Sequence, residues 1–137
     1  MEPEVIAAVR RSYGRALIHG DLMARFYELF LASDREIRDK FRDTDFDKQR
    51  ELLSQSINMA ILLPQGNVVA RNALTRLRES HSRKRLAIAP RLYGLWTDSL
   101  IRALSEADPD FSRELERQWR ELLAVTVAFM TAGYDAD

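Results

Sequence analysis

The sequence predicts an all-α protein, and three observations carry that prediction. Apolar residues recur at helical spacing along nearly the whole chain, alternating β-branched runs are missing, and Gly and Pro fall between the patterned segments rather than inside them. No internal repeat or low-complexity stretch interrupts the series, and about six to seven helices result.

Val5, Ile6, Val9, Tyr13 and Leu17 form one face of a first helix, which Gly20 is expected to stop as a left-handed C-cap. His19, in the last turn, suits the helix dipole and needs no other role. Leu22, Phe26, Leu29 and Phe30 turn inward from a second helix. Ser33-Asp34-Arg35-Glu36 has the form of a capping box that opens a short third turn ending at Phe41. Arg42 to Asp47 reads as a polar corner. Gln49, Leu53, Ile57, Ala60 and Ile61 stripe the next helix, which Pro64-Gln65-Gly66 terminates, and another carries Leu74 and Leu77 towards His81. Pro90 suits the first turn of a helix bearing Tyr93, Trp96, Leu100 and Leu104. Asp108-Pro109 is expected to be the N-cap and first-turn proline of a long last helix, with Phe111, Leu115, Leu122, Val125, Phe129 and Met130 facing the core.

With 137 residues, 46% of them hydrophobic, the chain has the size of one domain, 1–137, able to enclose a core and a cofactor. Lys+Arg and Asp+Glu both total 21, so no net field recruits nucleic acid or an anionic membrane, and neither is expected as a partner. The absence of Cys excludes disulfides, thiolate catalysis and iron–sulfur or thiolate-haem ligation. The opening residues lack a signal-peptide core and the longest apolar runs, such as Met59 to Pro64, are too short to span a bilayer, so a cytoplasmic protein is expected. Hydrolase and metal-cluster constellations are missing, and Glu28, although next to Tyr27, belongs to an outward face.

His81 follows Leu74 and Leu77 on the helical pattern. A neutral imidazole facing an apolar pocket can be the axial ligand of a haem iron, although a histidine on its own is more often a hydrogen-bonded core or surface residue. Its company changes that balance: Phe26-Tyr27, Phe41 and Gln49 precede it in order.

Together these residues resemble a bacterial globin, in particular the haem domain of flavohaemoglobins and the related single-domain globins. Arg25-Phe26-Tyr27-Glu28-Leu29-Phe30 looks like the globin second helix with its distal tyrosine, and Glu36-Ile37-Arg38-Asp39-Lys40-Phe41 like the approach to the haem-stacking phenylalanine. Asp47-Lys48-Gln49-Arg50-Glu51 is similar to the start of the distal helix, with glutamine where many animal globins have histidine. His81 comes 32 positions after Gln49, the separation that flavohaemoglobins use. Ser80-His81 resembles the Ser-His pair of myoglobins, and Ile88-Ala89-Pro90 followed by Tyr93 the corner into the next helix. Two features depart from the pattern. The corner after His81 is about two residues longer than in flavohaemoglobins, and no tyrosine stands near Leu123, where those proteins keep a proximal Tyr-Glu pair, so peroxidase-like chemistry is not expected.

The resemblance implies a globin fold, a 3-over-3 helical sandwich around a haem pocket, with haem b as cofactor. His81 would ligate the iron, neutral at the coordinating nitrogen, with its other nitrogen donating to the Leu77 carbonyl or the Ser80 hydroxyl. Tyr27 and Gln49 would direct donors at the sixth position and favour O₂ over the less polar CO. Trp96 could add an indole N–H. Leu53 would wall the distal side, Phe41 would lie against the porphyrin, and Leu77 and Tyr93 would line the pocket. Arg83, Lys84 and Arg85 stand where propionates need compensation, with Arg83 and Arg85 the leading candidates. Each has a plainer role as a packed tyrosine, a solvated glutamine, a core apolar residue or a charged turn, and Trp119 has only a packing role.

Three functions follow. The first is reversible binding of O₂ and other diatomic gases such as CO and NO, extending to NO dioxygenation only with an external reductase, since no flavin or nicotinamide segment is expected beyond Asp137. The second is a gas or redox sensor signalling through the last two helices to a separate partner or across a homodimer. The third is a haem-free interaction module, which has no reason to keep Tyr27, Phe41 and His81 together.

Overall fold

The structure, a computed structural model, describes residues 1–135, and Ala136 and Asp137, the end of the expected domain span, lie outside the described residues. Helices α1 (Pro3–His19), α2 (Leu22–Ser33), α3 (Arg35–Lys40) and α4 (Phe46–Leu62) lead through a 3₁₀ turn, Leu63–Gln65, to α5 (Val68–Ser80), α6 (Arg91–Ala107) and α7 (Arg113–Ala132). Among the described residues there is no strand, in agreement with the helical periodicity.

Local chemistry explains where most helices begin. The side chains of Asp21, Asp34, Asp45, Asn67 and Ser112 each accept a hydrogen bond from a first-turn amide, satisfying a donor that has no partner within the helix. Gly66 ends the 3₁₀ turn in the left-handed region, φ 74°, where a side chain would be strained.

Six expectations are corrected. Gly20 is extended, φ −156°, not left-handed; its smallness is needed because a Cβ there would lie 2.9 Å from the Cβ of Ala107. Asp34 rather than Ser33 caps α3, since the Ser33 hydroxyl turns back to the Phe30 carbonyl and leaves the cap to its neighbour. The polar corner is shorter than expected, because Asp45 caps α4 and places Phe46 in its first turn. Asp108 does not start the last helix: it ends α6, and Ser112 caps α7, leaving Phe111 in the connection. The inward stripe of α7 therefore runs through Leu115, Trp119, Leu122, Leu123, Thr126 and Met130, and Val125 is exposed, as is Leu17 on α1.

The core is a contiguous cluster to which α2, α4, α6 and α7 all contribute, with Phe26, Ile57, Leu100, Leu104, Trp119 and Leu122 fully buried. Helix α2 packs on α6, α1 on α6 and α7, and α5 on α4 and α7. No helix among the described residues is long and apolar enough to cross a membrane.

A buried carboxylate ties three of these helices. Asp108 accepts hydrogen bonds from Arg15 Nε at 2.6 Å and Nη2 at 3.0 Å, from Ser12 Oγ at 2.7 Å and from the Asp110 amide at 2.9 Å. Ser12 Oγ in turn accepts from Trp119 Nε1 at 2.9 Å, so α1, the end of α6 and the middle of α7 share one network. Burial pushes the Asp108 carboxyl up, but its hydrogen bonds to Arg15, Ser12 and Asp110 outweigh that and hold it below the usual carboxylate range. A depressed folded value stabilises the native state above the unfolded carboxyl pKa of about 4, and this contribution is lost as pH falls through the folded value. Asp108→Ala is expected to destabilise by about 3 kcal/mol, because it strands the buried Ser12 hydroxyl and leaves the half-buried Arg15 guanidinium without its carboxylate. Urea unfolding at pH 7 checks the magnitude, and the shallower acid limb of Asp108→Asn between pH 5 and 3 checks the sign.

Candidate functional site

His81 is the C-cap of α5, its amide bonded back to the Leu77 and Arg78 carbonyls. Its ring is held by the same turn, with Nδ1 2.9 Å from the Leu77 carbonyl and 3.0 Å from Ser80 Oγ, while Ser80 Oγ donates to that carbonyl at 2.7 Å. A carbonyl only accepts, so Nδ1 carries the proton and Nε2 is left with a bare lone pair. Burial pushes the imidazolium down in pKa, against the favourable Leu77 carbonyl, and the ring is neutral at pH 7. Both acceptors expected for the second nitrogen are thus in place.

The chain after His81 folds back on it. Leu86 N donates to the Ser80 carbonyl, Ala87 N to Ser82 and Ile88 N to His81 itself, and this tight corner holds Ala87 at φ 54°, a left-handed conformation that alanine rarely adopts. Lys40 Nζ donates to the Leu86 carbonyl at 3.0 Å, tying the corner to the end of α3, where Phe41 is the C-cap.

Phe41 belongs to an aromatic group that gathers most of the expected distal residues. Its ring lies 5.9 Å from Tyr27, 6.0 Å from Phe30 and 6.1 Å from Phe46, and Phe26 links Tyr27 to Trp96 at 4.9 and 6.1 Å. Phe46, 5.5 Å from Tyr27, was missed in the sequence reading because it falls in the supposed corner. Its signal was the Asp45 cap together with the spacing to Gln49 and Leu53, which puts the three on one helical face.

Tyr27 is buried, and its hydroxyl donates to the backbone carbonyl of Gln49 at 3.3 Å. Burial raises its pKa to about 12, opposed to a smaller extent by the Gln49 side chain, and burial likewise raises Tyr93 to about 12, so both phenols keep their protons. Leu53 is buried in the core cluster. Gln49, Leu77, Tyr93 and Trp96 are half-buried. Arg83 is exposed, its amide donating to the Tyr134 carbonyl at 2.9 Å and its guanidinium pairing with Asp135 at 3.4 Å. Arg85 is exposed. On α7, Leu123 is fully buried one turn before Thr126, whose buried hydroxyl has no hydrogen-bond partner among the described residues.

The donor set fits a haem. One neutral imidazole has an unprotonated nitrogen without a hydrogen bond among the described residues, and Phe41, Phe46, Leu77, Ile88 and Trp96 are only half-buried, leaving apolar surface for a flat apolar group to cover.

The comparisons agree. A family model described as Globin matches residues 24–130, and the chain belongs to the globin family, whose cofactor is haem. It is also similar to a crystal structure from Pseudomonas aeruginosa PAO1, protein PA3967, described as structurally highly homologous to a human hemoglobin. That likeness has 35% sequence identity and a TM-score of 0.91, and covers 96% of this chain and 99% of the other. No curated protein matches the chain. The all-α arrangement is the globin fold.

Tyr27→Phe is expected to lower the stability of the haem-free chain by about 1 kcal/mol, the net value of one partly buried hydrogen bond. Equilibrium urea unfolding checks it.

Proposed function

We propose that the chain, as one domain over 1–137 working in the cytoplasm, reversibly binds O₂ and other diatomic gases at a haem held by His81. The observation that carries this reading is the His81 ring, with its Nδ1 proton fixed on the Leu77 carbonyl and no hydrogen bond to Nε2 among the described residues. Haem b, when bound, would supply an iron able to take up a diatomic gas.

The residues would divide the work. His81 gives its Nε2 lone pair to the metal, and Leu77 and Ser80 fix the tautomer and raise the basicity of the ring. Phe41 and Leu77 would pack against the haem, while Tyr93 and Leu53 would exclude water from it. The Tyr27 hydroxyl is the polar group for the distal side. Its 3.3 Å bond to the Gln49 carbonyl is long for an O–H donor, so the hydroxyl can turn from that carbonyl to donate to a polar gas ligand at small cost. Gln49 and Trp96 offer further N–H donors. With Arg83 committed to Asp135, Arg85 is the better candidate for a propionate.

Sensing is the second reading, favoured by the hydrogen bond from Arg83 N to the Tyr134 carbonyl, which couples the corner after His81 to the C-terminal segment. NO dioxygenation would draw its electrons from an external reductase.

Hemin titration followed by visible absorption, before and after dithionite and CO, is the test. The wild-type chain is expected to bind hemin and give a ferrous CO spectrum. His81→Ala is expected to keep its helical circular dichroism and fail to retain haem, and retention by that variant would overturn the reading. Tyr27→Phe is expected to speed O₂ release by about fivefold to about a hundredfold, the range for one hydrogen bond to a charged or strongly polar group, read by stopped-flow.

A further inference from the structure

Helix α5 carries His81 at its end but is weakly anchored by apolar burial. Of its 13 residues only Ala70 and Leu74 are buried, whereas α6 buries seven of 17. So little apolar area leaves the helix free to turn and slide on α4 and α7 unless other contacts hold it.

Those contacts converge on a short stretch of α7 and its continuation. The Arg78 guanidinium stacks over the Phe129 ring with its carbon 4.3 Å from the centroid, and Nη1 donates to the Phe129 carbonyl at 3.4 Å. Arg71, two turns earlier, places a second guanidinium 5.3 Å from the same ring. Gly133 is buried, and a Cβ there would overlap Arg78 Cγ and Cδ, so the absence of a side chain at 133 makes room for the stacked arginine. Beyond His81, Arg83 N donates to the Tyr134 carbonyl at 2.9 Å and the Arg83 side chain pairs with Asp135.

We propose that the segment Phe129 to Asp135 positions the His81 ring, gripping α5 through Arg78 before the histidine and through Arg83 after it. Phe129, Gly133 and Arg78 are thereby positioning residues for the iron ligand, a role that rests on the reading of His81 given above. The planar, delocalised guanidinium suits this use, because it stacks on an aromatic face while donating to a carbonyl, which an ammonium does less well. A change of state at the C-terminal segment then alters the geometry of the metal ligand without touching the haem.

Two variants test this in the full-length chain. Gly133→Ala drives a methyl into the Arg78 side chain, and Phe129→Leu removes the ring while keeping an apolar residue. In the haem-free protein both are expected to speed hydrogen exchange of the Leu77–His81 amides by about fivefold relative to the α6 amides, the loss of one cation–π contact. In the reduced haem protein both are expected to shift the iron–imidazole stretching band in resonance Raman, and Phe129→Tyr, which restores the ring, is expected to return it to the wild-type position. Unchanged exchange and an unchanged band in both variants would overturn the positioning role. A wild-type spectrum lacking that band would overturn the His81 ligand reading instead, and the exchange data judge the grip independently of it.

Discussion

The fold depends most on the buried carboxylate at the end of α6. A charge taken out of water is tolerated only where its lone pairs are filled, and Asp108 fills them with Arg15, Ser12 and the Asp110 amide while Trp119 completes the chain through Ser12. Because these partners sit on α1, α6 and α7, the network fixes the register of three helices together, something apolar packing does less sharply since one methylene face resembles another. The site is downstream of that constraint. Helix α6 bears Tyr93 and Trp96 at its other end, and α2, which brings Phe26 and Tyr27, packs against α6.

Much of the site was legible in the sequence because its parts are local. His81, Ser80 and the Leu77 carbonyl belong to one helical turn, so spacing alone predicts that the ring can reach its acceptor. Tyr27, Phe41 and Gln49 could be placed by order and interval. What could not be read were choices between competing partners. The Tyr27 proton goes to a backbone carbonyl that leaves no trace in residue identity, and Arg83, one of three adjacent basic residues, pairs with Asp135, more than fifty positions later.

The fold shows the same division. Helical periodicity gave the elements, whereas boundaries failed where two capping residues compete: Ser33 against Asp34, and Asp108 against Ser112. In the second case Asp-Pro has the local form of a helix start, yet the carboxylate is used by Arg15, nearly a hundred residues earlier, and a distant partner overrides the local rule. Phe46 was lost to the same kind of error, and with it one ring of the aromatic group around Tyr27.

The near-contact of Gly20 with Ala107 has a consequence for how this chain can vary. Two backbones meet there with room for one methyl group, and the next residue along α6 is the buried carboxylate. A larger residue at either position would wedge the ends of α1 and α6 apart and lengthen the Arg15–Asp108 bridge beyond bonding distance. Positions 20 and 107 should therefore drift as a pair, one shrinking when the other grows, and any lineage that enlarges both must give up the ion pair or re-route the loop between α1 and α2.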